Sequence, residues 1–143
     1  MKQTNEESNE KWFRVSLRLW GDDLPVDEVG NLLSLEAFSI GRKGKHIDDN
    51  PKRALYKTNV WVWSSFEESH VPFDLQIGDL LEVLERRQNE LKQLLSLPNV
   101  DAELFLGFSS VNGQGGANFS NAMLRRIALL GLSVDLDLYP PSE

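Results

Sequence analysis

The chain of 143 residues has no cysteine, which excludes a disulfide framework, a thiolate zinc site and a cysteine nucleophile. Histidine is scarce: His46 and His70 are the only two, and neither has a nucleophile at a recognisable spacing. No apolar run approaches the roughly 18 residues that a membrane span needs. Met1–Lys11 has no apolar residue after Met1, so it lacks the hydrophobic region of a signal peptide, and the expected compartment is the cytoplasm. Basic residues are in deficit, with 15 Lys and Arg against 22 Asp and Glu and a net charge of −7. Phosphate backbones would be repelled at long range, which argues against nucleic acid as a partner.

What is present is ordinary for a soluble globular protein, with 41% hydrophobic and 26% charged residues in a chain of single-domain length. Residues 1–11 read as a disordered polar tail, and 12–143 as one domain. The closing stretch Leu132–Tyr139 alternates Leu132, Val134, Leu136 and Leu138 with Ser133, Asp135, Asp137 and Tyr139, the period-two pattern of a half-buried strand. Trp12–Trp20 alternates in the same way, with Phe13, Val15, Leu17 and Leu19 on one face. Gly21-Asp22-Asp23 then supplies a turn, and Pro25–Leu33 a short helix. Ala37–Ile40 and Asn59–Ser64 are predicted strands, the second apolar on both faces. The three- and four-residue spacing of Ile77, Leu80, Leu81, Leu84, Leu91, Leu94 and Leu95 predicts one long helix over Leu75–Leu95. A strand over Ala102–Ser109 follows. Ser120 is a fitting N-cap for a helix to Leu130, with Phe119 placed to staple to Leu124 and Gly131 as a left-handed stop.

This order predicts an α+β fold with a ferredoxin-like, mostly antiparallel sheet of four to five strands and about three helices. In that topology the last strand lies antiparallel beside the first, setting Arg14 and Arg18 across from Asp135 and Asp137.

Candidate sites are few. Gly113-Gln-Gly-Gly116, between a strand and a helix, has backbone amides that can bind an anion. It matches neither a Walker loop nor G-x-G-x-x-G, and a plain connection is the commoner use of such a loop. The loop Gly41–Thr58 gathers Arg42, Lys43, Lys45, Lys52, Arg53 and Lys57 against Asp48 and Asp49. Arg42, Lys43, Lys45 and Arg53 are its candidate contacts to an anionic ligand or an acidic partner, whereas most charged loops are only solvated. His46 with Asp48 and Asp49 lacks further ligand spacing, so neither a metal nor a cofactor is expected. The pairs Asp22-Asp23, Asp48-Asp49 and Asp135/Asp137 have turn or pairing roles before catalytic ones. One sheet face would gather Trp12, Trp20, Trp61, Trp63, Phe105 and Tyr139 with Arg14 and Arg18, the mixture that binding surfaces use. Trp20, Trp61 and Trp63 are therefore candidate contacts, unless the long helix or the basic loop folds over that face.

With these pieces in order, the chain resembles a bacterial family known as domain of unknown function 4279. The likeness lies in the opening strand with Gly21-Asp22-Asp23-Leu24, the Arg42-Lys43-Gly44 element and the Trp61–Ser64 strand. It continues through the leucine helix, the Leu124–Leu130 helix, Gly131 and the closing Asp137-Leu138-Tyr139. The resemblance implies small, soluble bacterial proteins and carries over no catalytic residue. The chain thus reads as a non-catalytic protein- or ligand-binding module, with an inhibitor or immunity-type role fitting its size and acidity. The alternative is an anion- or nucleotide-binding enzyme built on the Gly113–Gly116 and basic loops. A protein partner or a homodimer through the aromatic face is the expected association.

Overall fold

The computed structural model describes residues 11–65 and 70–140. The expected polar tail, apart from Lys11, lies outside the described residues. The first strand, β1 (Lys11–Gly21), is followed by a short helix α1 (Val29–Leu33), β2 (Ser39–Gly41) and β3 (Asn59–Ser64). Two consecutive helices, α2 (Phe73–Arg86) and α3 (Gln88–Leu95), lead to β4 (Asp101–Ser110), and α4 (Asn121–Leu129) leads to β5 (Ser133–Leu138). The strands form one sheet in the order β2-β3-β1-β4-β5.

The α+β class holds, but the sheet is mixed. β1 pairs antiparallel with β3 on one side and with β4 on the other, while β5 pairs parallel with β4. The last strand therefore does not lie beside the first. β4 occupies that place through a ladder running from Lys11↔Ser110 to Trp20↔Asp101. A strand-helix-strand connection through α4 returns the chain in the same direction, which makes β5 parallel. Arg14 and Arg18 consequently face Gly107 and Glu103; one strand further on, Asp137 lies across from Gly107 and Asp135 across from Phe105.

Alternation decides which side chains form the core. Phe13, Val15, Leu17 and Leu19 of β1 and Ala102, Leu104, Leu106 and Phe108 of β4 are buried on one face. Ile77, Leu81 and Leu84 of α2, Leu91 and Leu94 of α3 and Ile127 of α4 belong to the same buried cluster. Phe13, Phe73 and Phe108 meet in an aromatic group, with centroids 5.0 Å apart for Phe13–Phe73 and 5.3 Å for Phe13–Phe108. Each fully buried leucine contributes about 1.5–3 kcal/mol of transfer free energy, most of which chain entropy cancels.

The leucine-rich helix is two helices, because Arg87 leaves helical geometry at φ −119° and ψ 27°. The break turns α3 so that it packs on α1. At α4 the Ser120 side chain accepts from the Met123 amide at 3.1 Å, and Gly131 stops the helix with φ +78°. Phe119 lies against Phe73, with ring centroids 6.1 Å apart, while Leu124 stays exposed. Arg126 of α4 donates two hydrogen bonds of 2.8 Å to the Glu85 carboxylate, tying α4 to α2.

Candidate functional site: the open face of the sheet

Because the helices carry their apolar stripes to the Phe13–Leu19 side, no helix among the described residues covers the other face of the sheet. Cross-strand partners share a face, so the register assigns its occupants. Trp12, Arg14, Ser16, Arg18 and Trp20 of β1 stand there beside Val60, Val62 and Ser64 of β3. Asp101, Glu103, Phe105 and Gly107 of β4 continue the face, followed by Ser133, Asp135 and Asp137 of β5.

The same register corrects two expected members of this surface. Trp61 and Trp63 pair with Leu19 and Leu17, which puts them on the helix side. Trp61 is fully buried at 0% exposure, and Trp63 packs against the core. β3 is apolar on both faces, so its sequence alone does not say which pair turns inward; the larger Trp pair fills the core and Val60 and Val62 face out. Trp12, Trp20, Phe105 and Tyr139 stay with Arg14 and Arg18.

Two assemblies occupy the open face. At one end the Arg14 guanidinium lies 5.8 Å from the centre of the Trp12 ring, and Trp12 lies 5.2 Å from Tyr139. Gly107 leaves room for the Tyr139 ring, which a Cβ there would approach to 3.1 Å. The Asp137 carboxylate beside it, and then burial, raise the pKa of Tyr139 above the ordinary tyrosine value.

At the other end a groove of about 570 Å³ runs over Val60 and Val62, walled by Trp20 and Tyr56. Arg18, Glu103 and Asp135 line it, with Ser39 and Thr58 also on its wall. Arg18 pairs with Glu103 at 3.3 Å and lies 4.6 Å from the centre of the Phe105 ring. Glu103 is pushed above the ordinary carboxylate range chiefly by burial, with Arg18 opposing and Asp135 adding to the rise. The groove thus combines an apolar floor, aromatic walls and two carboxylates for one guanidinium that is already engaged. Such a surface suits a ligand with an apolar body and a cationic group.

Tyr56 reaches this wall from the basic loop, which is ordered by its own backbone bonds. Tyr56 N–H donates to the Lys45 carbonyl at 2.8 Å and Gly44 N–H to the Tyr56 carbonyl at 3.0 Å. The Tyr56 ring lies directly on Gly41, where a Cβ would overlap it. Glu103, Tyr56, Val60 and Val62 were not sequence candidates. Alternation along β4 put Glu103 on the face of Phe105, but only long-range pairing brings it to Arg18.

The basic loop uses its cations locally. Arg42 pairs with Asp27 and Arg53 with Asp48, while Lys43 pairs with Asp22 at 2.8 Å. The Lys43 ammonium and then the Thr58 hydroxyl hold Asp22 below its ordinary value. Lys45 lines a separate recess of about 430 Å³ with His46, Asp48 and Asp49. His46 Nδ1 donates to the Arg53 carbonyl at 2.7 Å. Among the described residues no group of three or more His, Asp or Glu is placed to hold a metal ion.

The glycine-rich loop is far from the basic one. Gly115 lies against Lys11 and Phe108, at the start of β1, whereas Lys43 reaches Asp22 just beyond its end. Ten steps of about 3.3 Å separate these ends by roughly 33 Å, so the two loops do not form one anion site.

These features describe an α+β protein whose helices cover one face of a mixed five-stranded sheet and leave an aromatic, acidic groove on the other. The chain belongs to the family described as domain of unknown function DUF4279, whose model matches residues 10–141. No curated protein and no solved structure matches the chain. Among the described residues no helix is long and apolar enough to cross a membrane.

Proposed function

We propose that this protein is a non-catalytic binding module that takes a protein or peptide ligand on the open face of its sheet. The observation that carries the proposal is the groove between Trp20 and Tyr56, floored by Val60 and Val62 and edged by Glu103 and Asp135. Aromatic side chains beside a partly buried Arg–carboxylate pair are what interface centres are built from. The carboxylates and the net charge of −7 favour a basic partner and speed its approach. An inhibitor or immunity-type role, in which a small acidic protein covers a basic surface of its target, is consistent with this chemistry.

The proposal is tested by titrating the protein with short cationic, neutral and anionic peptides while following tryptophan emission. Wild type is expected to respond to cationic peptides carrying aromatic or aliphatic side chains, and Val62→Arg, which fills the groove floor with a cation, to lose the response. No response in wild type, or an equal response in Val62→Arg, contradicts the proposal.

A further inference from the structure

The second surface is the free edge of β5. This strand ends the sheet, with β4 on one side and no strand beyond it among the described residues. Val134, Leu136 and Leu138 are on the core-side face, paired with Leu104, Leu106 and Phe108. Yet they are 45%, 53% and 66% exposed, whereas their partners on β4 are buried. Asp135 and Asp137 project from the other face. Tyr139 N–H bonds back to the Phe108 carbonyl, and backbone groups alternate sides along a strand. The N–H and C=O groups of Val134, Leu136 and Leu138 therefore point out of the sheet at its open edge. An edge that is regular, apolar on one face and unblocked by proline or lysine is a template for another strand.

We infer that β5 receives an extended segment of a partner protein that alternates apolar and basic side chains, adding a sixth strand to the sheet. Such a strand satisfies the free backbone groups, covers the apolar row with its apolar positions and sets its Lys or Arg side chains across from Asp135 and Asp137. A second copy of the chain fits less well. Each two-fold antiparallel register centred on Asp135, Leu136 or Asp137 seats the apolar rows together but opposes an aspartate with an aspartate, between chains of net charge −7. The first ten residues of the chain supply no such strand either, since they carry no apolar side chain after Met1 and hold Glu6, Glu7 and Glu10. This surface shares Asp135 with the groove, but its free backbone groups and apolar row lie outside it, so the Val134, Leu136 and Leu138 amides report on the edge alone.

The test is amide hydrogen exchange on the full chain with two capped peptides, one alternating valine and lysine and the other valine and glutamate. The valine–lysine peptide, at about ten times its dissociation constant, is expected to slow exchange of the Val134, Leu136 and Leu138 amides by roughly tenfold. The valine–glutamate peptide is expected to leave them unchanged. The double variant Asp135→Lys/Asp137→Lys, checked for folding by circular dichroism, is expected to reverse this preference. The inference is overturned if neither peptide protects these amides, or if both protect them equally. It is also overturned if the amides are already protected in a free protein that light scattering shows to be a dimer, because a second copy then holds the edge.

Discussion

Glu103 is held in the groove by two opposed influences, and its titration reports their balance. Burial raises its pKa above the ordinary 4.5, against the pull of Arg18. The folded protein therefore binds this proton more tightly than the unfolded chain, and stability falls as pH rises from 4.5 through the raised value. Glu103→Gln cannot ionise, so its stability relative to wild type is expected to increase over that interval. Denaturant midpoints measured at a series of pH values check this, and a difference that stays constant or moves the other way refutes it. Gly41→Ala tests the wall of the same groove. The added methyl overlaps the Tyr56 ring and is expected to cost about 1–3 kcal/mol, as overpacking does. The groove should open at Tyr56, which the aromatic proton shifts of that residue will show. At this scale the sequence discloses the face on which Glu103 lies, because alternation is local. It does not disclose that Arg18 is its partner, because that contact needs β1 and β4 to meet across a sequence separation of 85.

At the scale of elements, local chemistry is legible wherever it is sufficient by itself. The Ser120 cap and the Gly131 stop follow from the side chain and from the missing Cβ, and both are present. Ser120→Ala is expected to lower stability by about 0.5–2 kcal/mol, measured by denaturant unfolding. The break between α2 and α3 is not legible, since Arg87-Gln88 contains neither glycine nor proline and the leucine spacing runs on through it. Packing of α3 on α1 sets that geometry. Leu84, fully buried beside the break, marks its energetic weight: Leu84→Ala is expected to cost about 2–5 kcal/mol. The Glu85–Arg126 pair links α2 to α4. Hydrogen bonds from Arg126 hold Glu85 below its ordinary 4.5, so this link stabilises above pH 4.5 and is lost as pH falls through and below that value. The deficit of Arg126→Gln relative to wild type is accordingly expected to shrink on acidification below pH 4.5; a deficit that grows contradicts it.

For the whole molecule, topology separates what sequence composition had joined. The ladder between β1 and β4 displaces β5 to the edge, which is why Asp135 and Asp137 do not pair with the first strand. It also sets the basic and glycine-rich loops at opposite ends of β1 and turns Trp61 and Trp63 into the core. What remains on the bare face is Trp12, Trp20, Phe105 and Tyr139 among more carboxylates than guanidinium groups. The bare face is open and acidic, whereas the helices close the opposite face over β1, β4 and Trp61 of β3. Quenching of tryptophan emission by caesium and by iodide tests it directly and without a ligand. Trp20→Phe is expected to remove much of the quenchable emission and Trp61→Phe to leave it intact, with caesium the more effective quencher at Trp20. Equal loss of quenching in the two variants, or iodide quenching Trp20 better than caesium, would contradict the account.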